Sequence, residues 1–210
     1  MNVLAKYGWI CLLVAIIGEV LVPFLLAPFY KRYCHTTMAI SALGNHNSPV
    51  RIPFNTWMLV AGVLFLLSIP SIYDLYREAS KTLSIIAVSF IGIFAVGACI
   101  FTCFFSVGET KDVVTTASKI HGAGSAIGFM LMLFVPLFIS LLSFMSNDRI
   151  AGVTAIISFV LALIFFVLFI MADKPQFQNT AIAKEGLWQR LNLVFMYLPL
   201  AFVATNRIMC

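Results

Sequence analysis

Charge is scarce in this sequence. Of its 210 residues only 10% are Asp, Glu, Lys or Arg, while 62% are hydrophobic and the mean hydropathy is +1.04. A soluble fold cannot cover itself with so few charged groups, which excludes a water-soluble globular domain. The 13 basic residues outnumber the 8 acidic ones, but no basic run interleaved with aromatics occurs, so nucleic-acid binding has no support. None of the five cysteines forms a CxxC pair, and Cys11, Cys99 and Cys103 fall inside apolar runs as small core hydrophobes. HxxxH and HExxH, the P-loop lysine and the glycine-rich nucleotide loop are all missing, and no cofactor is expected.

What the chain has instead is long apolar runs. Residues 82–105, TLSIIAVSFIGIFAVGACIFTCFF, carry no ionisable side chain except thiols. At 1.5 Å rise per residue such a helix crosses the roughly 30 Å hydrocarbon layer. Six spans are predicted, at about 7–29, 55–76, 82–105, 119–143, 149–171 and 187–206, giving an all-α, polytopic membrane protein with one domain over 1–210. The first run is longer than the apolar region of a signal peptide and no small-x-small site follows it, so it reads as a retained helix. Asn55, after Pro53, is positioned to cap the second helix, and Thr115, Thr116 or Ser118 the fourth. Arg190 interrupts the first turn of the sixth, where its guanidinium is expected to extend toward headgroups.

With six spans, helix ends alternate between two membrane faces. Tyr7, Trp9, Tyr73 and Tyr76 then fall at the face of the termini, and Tyr30, Tyr33, Trp57 and Trp188 at the other, as two interfacial belts. Connections on the terminal face are short. The opposite face has three longer ones, about 30–54, 106–118 and 172–186, and gathers His35, His46, His121, Glu109, Asp112, Asp173, Glu185 and Arg190. Longer connections on a rigid scaffold are where function concentrates. Lys6, Arg77, Lys81, Arg149 and Arg207 crowd the short terminal-face segments, which favours cytoplasmic termini in a cell membrane.

The first long connection contains HTTMAISALGNHNSPVRIPFN. Thr36 or Thr37 is placed to cap a short helix through MAISAL, and Gly44 to stop it in a left-handed conformation. Asn45-His46-Asn47-Ser48-Pro49 is turn chemistry. A folded lid over the bundle follows, with Met38, Ile40, Ala42 and Leu43 apolar enough to lie at the interface or tuck beneath the loops.

AISALGNHNSP followed by IPFNTWMLVAG resembles the start of the domain-of-unknown-function 998 family of prokaryotic multi-spanning proteins. KIHGAGSAIGF resembles that family's histidine-bearing fourth helix, and EGLWQRLNLVF the start of its sixth, with a Gly and an Arg. Where the family carries a Phe-Pro-Asp turn after the third helix, this chain has FFSVGETKD. The Ser-x-x-Gly loop is more distantly similar to the Frag1/DRAM/Sfk1 group. The resemblance implies six helices and supplies no reaction.

Glu19 is the least expected residue, an acid midway along the first helix. Placing it there costs about 2.5–3.5 kcal/mol on insertion scales, so it should face the bundle or water. Asn192, Tyr197, Ser125 and Arg190 are its candidate partners. The face His121–Gly124/Ser125–Gly128 is narrow, which favours close helix packing at the glycines and leaves His121 near the lid.

Three readings remain. The leading one is non-enzymatic: binding or sensing a membrane lipid or other amphiphile in a cavity under the 30–54 lid, with Glu19, His121, Arg190 and Asn192 as polar contacts. The second is a metal-dependent lipid hydrolase using Ser41 with His35, His46 and His121, since a catalytic zinc takes three protein ligands. The third is a small proton-linked transporter centred on Glu19.

Overall fold

The computed structural model describes residues 3–105 and 115–209. Glu109 and Asp112 lie outside them. Six helices among the described residues are long and apolar enough to cross a membrane: α1 (Val3–Leu26, its apolar span running on to Phe29), α2 (Arg51–Tyr76), α3 (Lys81–Phe104), α4 (Thr116–Met145), α5 (Arg149–Ala172) and α6 (Glu185–Met209). The chain is an integral membrane protein, all-α, with no strand among the described residues. The predicted boundaries move outward by a few residues at several ends, because apolar periodicity does not register polar first and last turns.

Of the two helix caps expected from the sequence, the second helix departs and the fourth follows at Thr115. α2 begins at Arg51 with Val50 at its N-cap, so Asn55 is not a cap but sits one turn inside. Pro53 falls in the first turn, where its missing N–H has no intrahelical partner to lose. α4 opens on a reciprocal capping box: Thr115 Oγ1 accepts from Ser118 N at 3.0 Å and Ser118 Oγ accepts from Thr115 N at 2.8 Å.

α1 lies along α2 and α5 along α6, while α4 packs on both α3 and α5. The core between them is built on Leu12, Phe65, Phe94, Met132, Leu142 and Met196. Short hairpins close the terminal side. Asp148 Oδ1 caps α5 by accepting from Ala151 N at 3.0 Å, after Asn147 turns the chain at φ 60°. The Ser140 hydroxyl donates to Gly152 O at 2.8 Å, tying α4 to α5 next to that turn.

α3 is not a uniform α-helix. Ala95–Ile100 widens into a π segment, and the Thr102 hydroxyl donates to Ala98 O and Cys99 O, both at 2.8 Å. Nothing in the apolar pattern announces this.

The aromatic belts are only partly interfacial. Trp9 and Tyr76 are buried in the core, Tyr76 hydrogen-bonding Ser143 across helices at 2.9 Å, and Trp57 turns into the bundle. The Tyr76 hydroxyl and the Trp57 N–H find partners inside, which makes their burial compatible with their chemistry.

Candidate functional site

A cavity of about 390 Å³ lies under the 39–44 segment, enclosed by α1, α2, the π segment of α3, α4, α5 and α6. Phe94, Phe129, Phe166, Phe169 and Met58 give it apolar walls. Glu19, Ser41, Asn55, His121, Ser125 and Gln189 bring polar atoms into the same lining. That is the composition of a ligand pocket: mostly apolar, with a few convergent polar groups.

The roof is a 3-10 helix, Ile40–Gly44, rather than the two-turn helix expected from Met38, and neither Thr36 nor Thr37 caps it. Gly44 is not left-handed either. It is small for a different reason: a Cβ there would come within 2.5 Å of Asn55 Oδ1 and 3.0 Å of the Phe54 ring. The turn that follows behaves as its residues require, with Asn45 Oδ1 accepting from Asn47 N at 2.9 Å.

The lid is fastened to the start of α6. Ile40 N donates to Gln189 Oε1 at 2.7 Å, and Leu187 N to Thr36 O at 3.0 Å. Arg190 Nη1 donates to His35 O at 2.7 Å, Met38 O at 3.3 Å and Gly186 O at 2.8 Å, and Nη2 donates to the Tyr33 hydroxyl. Its guanidinium also sits over the Phe24 and Tyr33 rings. Gly186, one turn earlier, lets the loop lie flush, since a Cβ would meet Met38 O at 2.2 Å and His35 O at 2.5 Å. The Gly and Arg of EGLWQR thus act together as a seat for the loop. Arg190 does not line the cavity. An arginine suits this task because its planar fork holds several carbonyls at once.

Glu19 lines the cavity and is otherwise buried. Its Oε1 accepts from Trp57 Nε1 at 3.0 Å, and the Tyr197 hydroxyl donates to Oε2 at a longer 3.5 Å. Trp57 reaches it because residue 18 is glycine: a Cβ would lie 2.0 Å from the indole ring. The sequence reading included Tyr197 as a partner and missed Trp57. The signal lay in the pairing of a glycine with the lone acid. Asn192 is fully buried on α6 outside the cavity, and neither amide atom has a hydrogen-bond partner among the described residues.

The three histidines part company. His121 lines the cavity, and its Nδ1–H donates to Phe105 O at 2.7 Å. That bond leaves Nε2 of the neutral ring as an acceptor. His35 stacks on Phe24 at 4.6 Å and meets Tyr33 edge-on, and burial with the neighbouring Arg190 charge holds it below the usual imidazole range. His46 is exposed in the turn. Among the described residues no three His, Cys, Asp or Glu side chains gather into a metal-binding group. Of the hydrolase set, Ser41 and His121 share the cavity and His35 and His46 stand apart from it.

The glycines of α4 divide as well. A Cβ at Gly124 would lie 2.7 Å from Gly97 O, and one at Gly128 3.0 Å from the Ala98 Cβ, so these two seat α4 on the π segment. A Cβ at Gly122 would meet nothing within 4 Å.

Asn55, Gln189, Thr102 and the phenylalanines joined the lining without being anticipated. Asn55 and Gln189 look in sequence like ordinary helix-end polarity.

No curated protein and no solved structure matches the chain. A family model described as a protein of unknown function, DUF998, matches residues 6–206. That match runs through all six helices and the lid, and the chain belongs to the DUF998 family.

Proposed function

We propose that this membrane protein binds a lipid or other amphiphile in the cavity under the 39–44 roof, as a carrier or sensor rather than a catalyst. One observation carries the reading: polar atoms that line an apolar intramembrane cavity without a protein partner. Ser41, Asn55 and Ser125 make no side-chain hydrogen bond among the described residues, and Gln189 uses only its Oε1. Ser41, Asn55 and Ser125 are half-buried and open onto the cavity, and a polar group that faces apolar space at membrane depth is stabilised by a partner placed there. Glu19 and the Nε2 of His121 add acceptors on the same wall. Metal hydrolysis is the weaker reading, because His35 and His46 do not reach the cavity.

The test is lipid analysis of the protein purified from its membrane in mild detergent, by native mass spectrometry. One amphiphile should remain per chain. Ser125→Phe, which fills the cavity, and Glu19→Gln should each release it. Stoichiometric zinc lost on His121→Ala would favour the hydrolase instead, and proteoliposome flux abolished by Glu19→Gln would favour transport. The density of basic residues on the hairpin face further supports cytoplasmic termini in a cell membrane, which puts the lid outside.

A further inference from the structure

The cavity has a side opening. Of its lining residues, four are exposed: Gly122, Ala126 and Met130 on α4, and Ile170 on α5. Met130 and Ile170 are 54% and 47% exposed while still facing the cavity. Every other lining residue is buried or half-buried. The mouth is therefore the gap between α4 and α5, and from Gly122 to Met130 it runs about 12 Å along the helix.

The packing explains why the gap exists. Near their shared turn α4 and α5 are tied by Ser140 and Gly152. Toward the lid each follows a different neighbour. Gly124 and Gly128 press α4 onto α3. Phe165 stacks on Trp188 at 6.1 Å and on Phe195 at 5.6 Å, drawing α5 onto α6. Between them Gly122 and Ala126 supply almost no side chain. The roof offers no comparable route, because Tyr33, His35, Thr36, Met38 and Ile40 of the loop are each hydrogen-bonded to α6.

The lining also restricts the occupant. Among the described residues it holds two acids, Glu19 and Glu185, and no lysine or arginine. A phosphate or carboxylate head would find no lysine or arginine to pair it among the described lining residues, and an anion desolvated without a counter-charge is strongly unfavourable. The hydroxyls, amides and imidazole acceptor instead suit a head that both donates and accepts neutral hydrogen bonds. A cavity of this size takes one chain rather than an entire two-chain phospholipid.

Resting on the binding reading above, we propose that the ligand is a single-chain amphiphile with an uncharged, hydroxyl-bearing head. It enters sideways from the lid-side leaflet between α4 and α5, head under the 39–44 roof and chain toward the mouth.

The experiment uses the full chain in lipid nanodiscs and three photoreactive probes with identical diazirine-bearing chains: a monoacylglycerol, a fatty acid and a lysophosphatidylglycerol. Crosslinks are mapped by peptide mass spectrometry. The monoacylglycerol should label Phe94 or Phe129 inside and Met130 at the mouth, at least tenfold more than either anionic probe. Gly122→Leu, whose new side chain points into open space, and Ala126→Trp narrow only the mouth. Each should cut interior labelling at least fivefold while the melting temperature stays put. Interior labelling unchanged in both, yet lost in Ser125→Phe, overturns the lateral route and leaves the cavity reading intact. Equal labelling by the anionic probes overturns the head assignment. No interior labelling by any probe, in the parent chain, overturns the cavity reading itself.

Discussion

The hairpin half of the bundle and its lid half use polar residues in opposite ways. In the hairpin half they satisfy one another: Tyr76 with Ser143 at 2.9 Å, the Ser140 hydroxyl with Gly152 O at 2.8 Å, Asp148 with the first turn of α5. In the lid half Ser41, Asn55 and Ser125 reach a cavity with no side-chain partner among the described residues. Helices in lipid gain nothing from hydrophobic exclusion between them, so they associate through close packing and hydrogen bonds. The first half does both and closes. The second leaves room where α4 follows α3 and α5 follows α6, and a lid anchored to α6 roofs it.

Removing the anchor should have the largest effect. Arg190→Ala deletes charge-assisted bonds to the carbonyls of His35, Met38 and Gly186 and to Tyr33. A loss of about 2–3 kcal/mol is expected from thermal unfolding in detergent. Arg190→Lys should recover less than half, because a point charge cannot fork across three acceptors. If Arg190→Ala unfolds like the parent chain, the anchor does not hold the lid, and the roof of the cavity rests on other contacts.

The next two substitutions set the halves against each other. Tyr76→Phe breaks a buried hydrogen bond in the hairpin half and should cost about 1 kcal/mol of stability, with amphiphile retention unchanged. Ser125→Ala removes a hydroxyl that bonds nothing among the described residues, so stability should stay within about 0.5 kcal/mol. Retention should nonetheless weaken about fivefold, the worth of one neutral hydrogen bond to a ligand. Equal destabilisation by both would mean that Ser125 is a structural residue and that its free hydroxyl has no functional meaning.

How much of this could be read beforehand follows from the range of each signal. Six spans were legible because length and apolarity are local properties summed over twenty residues. Helix parity put the 30–54 loop and His121 on one face, though parity cannot say which side chains share a void. Arg190 was misplaced among ligand contacts because its acceptors are backbone carbonyls 152 and 155 positions away in sequence, and carbonyls carry no residue signature. Gly44 was assigned a turn conformation when what matters is the bulk of Phe54 and Asn55 across from it. The π segment was invisible for the same reason, since its residues, AVGACI, would suit an α-helix equally well. Gly122 and Gly124 look alike in KIHGAGSAIGF, yet one faces a gap and the other a backbone.

The smallest effect concerns Cys34, an exposed thiol on the lid face. Hydrogen bonds from Thr36 and Thr37 lower it from an ordinary 9.0 to about 6, with Thr36 Oγ1 3.3 Å from the sulfur. A lowered value means that the thiolate prevails above about pH 6, and thiolate is the reactive form. The labelling rate of purified protein with a maleimide should therefore level off between pH 7 and 8, and fall about tenfold from pH 7 to pH 5. A normal thiol would keep rising through pH 8. Because the Thr36 carbonyl is held by Leu187 N, the threonine's position depends on the lid staying seated. Arg190→Ala should then shift the midpoint upward even where it leaves the helices intact. The same thiol reports orientation. In intact cells a membrane-impermeant maleimide should reach Cys34, with Cys34→Ser as the blank, if the lid lies outside. Labelling only after permeabilisation would put the lid, and with it the leaflet from which the ligand is drawn, on the cytoplasmic side.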